Sequence, residues 1–229
     1  MMRSKGTDPV NSVTSTQAPA GTVGVLDDEH VALVRLAAAI AALDEDSVRT
    51  AMARSASVVR PVWVEEVILQ SYLFAGFPRT LNAAREWRKL SGLPAPADDP
   101  GERFADAAEW ASNGEETCAV VYGPFYERLR QNIRTLHPAL DAWMIVEGYG
   151  KVLSRPYMAL KERELCVVAA CAAAGQDRQL HSHLHGALNA GASAAEVSAV
   201  LDVLSDVMAT GNRDRYRLLL ARVVNSNVH

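Results

Sequence analysis

The sequence predicts an all-α protein. Hydrophobic residues make up 49% of the chain and are mainly Ala, Leu and Val, while aromatics reach only 6%, a balance that suits packed helices better than a β-sandwich. Apolar residues recur at helical spacing along most of the chain. No segment alternates with period two for long, so almost no sheet is expected.

The elements follow in order. Val31 to Leu43 reads as a first Ala/Leu helix and Ser47 to Ser57 as a second. Pro61, a residue that suits the first turn, opens a third that runs to Phe74. Ala75-Gly76-Phe77-Pro78 breaks it, and a fourth helix carries Leu81, Ala84 and Trp87. Residues 91–101 (SGLPAPADDPG) form the best linker. Helices are expected at Phe104–Ala111, at Glu116–Leu136 with a kink at Gly123-Pro124, and at Pro138–Val152. Leu160–Ala174, Arg178–Ala190, Ser193–Ala209 and Asn212–Val224 complete the set. Gly175 and Gly191 stand where C-caps belong, and Ser193 with Glu196 forms a capping box.

Leu33–Trp87 and Leu165–Tyr216 share an order: an Ala-rich helix, a polar turn, a helix, and a capped helix with a Glu-Val pair (Glu66-Val67 and Glu196-Val197). This echo suggests two repeated helical units, the first degenerate. The expected organisation is a disordered tail over 1–24, rich in Gly, Ser, Thr and Pro, a first unit over 25–90, the linker over 91–101, and a second unit over 102–229.

Composition narrows the function classes. A net charge of -4 without a Lys/Arg cluster argues against a nucleic-acid partner. No apolar run approaches the roughly 20 residues of a membrane helix, and the N-terminal segment lacks the apolar stretch of a signal peptide. Cys118, Cys166 and Cys171 give neither a disulfide framework nor metal-ligand spacing. A reducing, cytoplasmic setting is expected, with the cysteines as buried small apolar side chains.

The informative stretch is 161–191. On a helical wheel His183 joins the apolar stripe of Leu180, Leu184, Ala187 and Leu188, whereas His181 and His185 point to the opposite side. In the preceding helix Glu164 shares a face with Leu160, Val168 and Cys171, and so enters an apolar environment at its first turn. A buried carboxylate needs a partner, and a histidine on the next antiparallel helix is a natural one. Such a pair would have shifted, coupled titrations suited to proton transfer. The bland alternatives are dipole complementation by an acidic first-turn residue and a hydrogen-bonded core histidine. His181 and His185, at i and i+4, lack a third ligand, so no metal site is expected.

These residues also carry a resemblance. Arg163-Glu164, His183, Ala187-Leu188-Asn189-Ala190-Gly191 and Glu196-Val197 look like the core signature of carboxymuconolactone decarboxylases and the related alkylhydroperoxidase D (AhpD-like) proteins. Tyr122-Gly123, His137-Pro138, Glu147-Gly148-Tyr149-Gly150 and Arg155-Pro156 are similar to decarboxylase members. The segment from Tyr72 to Asn82 resembles the end of a second, degenerate family unit.

The resemblance implies a helical fold, assembly into homo-trimers or hexamers, and no cofactor. It places the peroxidase branch's Glu and His on Glu164 and His183, and that branch's two cysteines on Gln176 and Gln179. Glutamine has no redox chemistry, so the decarboxylase branch is the better fit. That implies removal of CO2 from a small carboxylated lactone, with His183 as general acid/base tuned by Glu164. Arg155 and Arg163 are candidate carboxylate anchors, and Tyr149 and Arg213 further substrate contacts. The alternatives are a non-catalytic oligomeric binding protein, a differently specific enzyme, or residual peroxidase-type activity.

Overall fold

The computed structural model describes residues 25–226 and is all-α, with no strand among the described residues. The tail expected over 1–24 lies outside them. Helix α1 (Asp28–Ala42) starts where the Asp27 side chain accepts the His30 backbone N–H at 2.9 Å, and α2 (Glu45–Val58) starts on Asp44 in the same way. Helix α3 (Pro61–Ser91) is bent at Gly76, whose φ of 79° only glycine adopts without strain. The bend carries Arg79 to the end of α1, where its guanidinium donates to the carbonyls of Ile40, Ala39 and Leu43.

The second half comprises α4 (Ala107–Tyr122), α5 (Tyr126–Leu136), α6 (Pro138–Trp143), a π-helical segment (Met144–Leu153), α7 (Leu160–Ala173), α8 (Asp177–Asn189), α9 (Ala194–Val203) and α10 (Asn212–Ser226). Helices α1 and α7 form the central pair. Helices α2 and α3 pack on α1, α8 and α9 pack on α7, and α4 packs on α8 and the π segment. Helix α7 is buried from Glu162 to Ala172, as its apolar circumference predicts. Among the described residues no helix is long and apolar enough to cross a membrane.

Three expected boundaries are corrected. Helix α4 runs unbroken from Ala107 to Tyr122, with only a 3₁₀ turn at Phe104–Asp106, instead of stopping at Ala111. Helix α9 ends at Val203 rather than Ala209. The expected Pro138–Val152 α-helix opens after Trp143 into π turns. This segment lies against α4 through two glycines. A Cβ on Gly150 would sit 1.8 Å from the Trp110 carbonyl oxygen, and one on Gly114 would sit 2.1 Å from that of Ile145.

Two predictions follow from this packing. Gly150→Ala should lower unfolding free energy by at least about 3 kcal/mol, the upper range for overpacking, because backbone must move on both sides. Urea denaturation reads the loss, and a change under about 1 kcal/mol, below that overpacking range, would contradict the contact.

The other concerns pH. His30 Nε2 lies 3.8 Å from Glu162 Oε1 and Nδ1 lies 2.7 Å from Asp27 Oδ1. Glu162 first, with Asp27 adding to it against the opposing effect of burial, raises the imidazole to about 9. A raised folded value gives stability that is complete below the unfolded value of about 6.5 and is lost as pH rises through about 9. The stability gap between wild type and His30→Gln should therefore be larger at pH 6 than at pH 9.5. Equal gaps at the two pH values would refute the link.

Candidate active site

Glu164 sits in the first turns of α7 with no solvent exposure, and His183 sits midway along α8, the next helix to pack against it. Nδ1 of His183 lies 2.8 Å from Glu164 Oε2. Gly186 makes the approach possible. A Cβ there would fall 2.6 Å from Glu164 Oε2 and 2.7 Å from Val121 Cγ1. The Phe74 ring meets the imidazole edge to face at 5.8 Å. Glu164 Oε1 is buried and unpartnered among the described residues, so the carboxylate faces His183 with little competition.

A carboxylate against Nδ1 fixes the orientation of the ring and favours the tautomer that carries its proton on Nδ1. Nε2 forms no hydrogen bond among the described residues, and His183 lines a cavity of about 1090 Å³. Helix α3 contributes Leu69, Tyr72, Leu73, Phe74 and Phe77 to its walls, and α5 and α6 contribute Leu129, Ile133, Leu140 and Trp143. Tyr122, Tyr149 and Gln179 supply polar groups. The two tyrosine rings stand 6.2 Å apart at 76°. Burial pushes the Tyr122 phenol up to about 12 and the Tyr149 phenol well above its ordinary value. Both stay neutral hydrogen-bond donors.

The sequence-derived anchors divide. Tyr149 and Arg155 reach the cavity wall, but Arg155 is engaged on all sides. Its Nε and Nη2 donate to Glu66, and its Nη1 and Nη2 donate to Asp99 at 2.7 and 2.8 Å. Arg163 is fully buried and does not line the cavity. Its Nη2 donates to Glu66 Oε2 at 2.6 Å and to the Arg155 carbonyl, and its Nε donates to the Met158 carbonyl. Arg213 is exposed at the start of α10, 3.7 Å from Asp202, and is likewise absent from the lining. The expectation of a double arginine anchor is therefore corrected: Glu66 of α3 already bonds both guanidinium groups, and Asp99 bonds that of Arg155.

Sequence reading missed Glu66 and Lys151 as neighbours of the site, while Gln179, placed there by the resemblance, does line the cavity. The signals for Glu66 were two glutamates, Glu65 and Glu66, within the otherwise apolar stretch Val64–Leu69 and the Glu66-Val67 echo of Glu196-Val197. His181 is exposed, with its ring 5.1 Å from that of His185, which in turn stands 6.3 Å from Phe125. Among the described residues no group of three or more His, Cys, Asp or Glu side chains is placed to hold a metal. All three cysteines are buried and unpaired. Burial raises the Cys118 and Cys171 thiols to about 12 and the Cys166 thiol further still, which disfavours the reactive thiolate. Gln176 stands at the start of α8, and Gln179 lines the cavity one turn before His183.

Comparison with known proteins agrees with the resemblance read from these residues. Residues 138–222 match the model of the carboxymuconolactone decarboxylase family, a span that contains Glu164 and His183. The chain is also similar to "Peroxisomal protein 2" of Schizosaccharomyces pombe (strain 972 / ATCC 24843). The two are 28% identical over 190 residues, which covers 80% of this chain and 88% of that protein.

The arginine arrangement makes Glu66 the residue most sensitive to substitution near the site. Glu66→Ala should cost about 3–5 kcal/mol, the range for removing one partner of a buried ion pair, since two guanidinium groups lose their shared carboxylate. Chemical denaturation measures this. A cost below about 1 kcal/mol, the value of a surface pair, would mean that the cluster is solvated.

Proposed function

We propose that this chain, a carboxymuconolactone decarboxylase family member through residues 138–222, is a carboxy-lyase in which His183 moves the proton and Glu164 holds and tunes the imidazole. The observation that carries the reading is the buried pair at 2.8 Å on a histidine that also lines a large cavity, with no hydrogen bond at Nε2 among the described residues. A structural histidine has no need of a cavity at its second nitrogen.

The reaction follows from what these groups can do. In a carboxylated lactone the C–C bond to the carboxylate breaks, CO2 leaves, and the electron pair spreads over the conjugated lactone carbonyl as a dienolate. His183, protonated at Nε2, delivers that proton to carbon, and Glu164 stabilises the imidazolium beforehand. One proton is consumed in each turnover, and solvent restores it to the imidazole. Apolar walls favour the dispersed charge of the dienolate over the localised charge of the carboxylate. The neutral phenols of Tyr122 and Tyr149 are donors for the enolate oxygen. No metal or organic cofactor enters these steps. Exposed Phe125 and Leu136, apolar side chains outside the cavity lining, support the homo-oligomer that the resemblance implies.

The test is CO2 release from a panel of lactone acids. His183→Ala should lower turnover by about a hundredfold or more with the fold intact by circular dichroism. Glu164→Gln should lower it less and shift the pH optimum, since an amide holds the ring but does not stabilise its charge. His181→Ala should be nearly silent. Full activity in His183→Ala would end this reading.

A further inference from the structure

We propose that the ligand of this cavity is a singly anionic acid or lactone acid with an extended apolar body, rather than a small polyanion; this rests on the acid–base reading of His183. Ligand pockets commonly run from about 300 to about 1,000 Å³, and this one reaches about 1090 Å³. A compact lactone acid would leave most of it unfilled.

The walls indicate what fills the rest. Leu69, Phe77, Leu140 and Trp143 line the cavity and are all exposed, Phe77 and Trp143 at 63% and 62%. They come from two elements, α3 and α6, that line the same cavity. Apolar groups of this size left in water mark a surface that a ligand or partner covers. A long apolar body entering toward His183 would cover both sides at once.

The charges exclude a polyanion. The lining holds two cations, Lys151 and Arg155, against three carboxylates, Asp99, Glu102 and Glu147. Neither cation is unpaired. Arg155 is held by Glu66 and Asp99. Lys151 Nζ lies 3.5 Å from Glu147 Oε2 and stacks 4.7 and 5.1 Å above the Trp110 and Phe104 rings. A second carboxylate on the ligand would meet net negative charge without a cation to pair with. A single carboxylate can accept hydrogen bonds from the neutral phenols of Tyr122 and Tyr149, which line the same cavity as His183.

The experiment is isothermal titration of full-length protein with hexanoate, octanoate, decanoate and dodecanoate, and with the dianion dodecanedioate. Affinity should rise about fourfold per methylene, the factor for burying one CH₂, until the cavity is full, and dodecanedioate should bind at least tenfold more weakly than dodecanoate. Leu73→Trp and Ile133→Trp, which narrow the cavity, should move the preferred length downward while circular dichroism stays unchanged. Flat affinity along the series, or tighter binding of the dianion, would overturn the proposal. So would dodecanoate binding that disappears as rising protein concentration drives self-association, since a second copy would then be the occupant. Failure of the catalytic reading is separable. Chain-length-dependent binding without CO2 release from any lactone acid, long or short, removes the chemistry and keeps the ligand class. Turnover of a compact lactone diacid without binding of the long acids does the reverse.

Discussion

Two guanidinium groups meet one buried carboxylate where α3 crosses the start of α7. Glu66 accepts from both Arg155 and Arg163, and Arg155 passes the link on to Asp99 in the 91–101 segment. Charges removed from water are tolerated only when each finds a partner, so the cluster forms as a whole. The Met158 and Arg155 carbonyls accept from Arg163 Nε and Nη2, which ties down the turn between the π segment and α7, while Nη1 is buried without a partner among the described residues. Glu164 is the next residue. Its carboxylate faces His183 on α8.

Glycine placement does the complementary work. At Gly114 and Gly150, α4 and the π segment come into backbone contact, and at Gly186, α8 lets the Glu164 carboxylate through. The first contact brings Tyr122, at the end of α4, beside Tyr149 in the π segment. The second sets the imidazole on the carboxylate. Close approach at these three glycines thus puts His183 and two neutral phenols around one volume. Dispersion and burial fill in behind: from Leu165 onward α7 is apolar all round, which suits its place at the centre of the fold.

The charge balance follows from the same economy. The positive groups near the cavity are spent internally, on Glu66, Asp99 and Glu147. What remains for a ligand is a largely apolar surface that includes His183, the residue paired with buried Glu164. That arrangement suits a reaction in which charge is spread and a proton is delivered to carbon, and it places the demand for recognition on shape and apolar area rather than on ion pairing.

Much of this was written in local sequence. Helical periodicity gave the all-α class and most helix boundaries, the Gly76 and Gly123-Pro124 breaks included, because caps and apolar stripes act over a few residues. The same periodicity turned His183 inward and His181 outward, and the apolar run after Glu164 put its carboxylate inside. What tertiary structure alone decided were the partners across the chain. Arg163 and Glu66 are 97 residues apart, and a guanidinium that looks available in sequence is engaged once folding delivers a distant carboxylate to it. The π turns after Trp143 depend on a backbone contact with α4, which no local pattern encodes. The cavity is likewise a property of the gap between α3 and α5/α6: each wall reads in sequence as an ordinary amphipathic helix, and only their separation in space makes them a site.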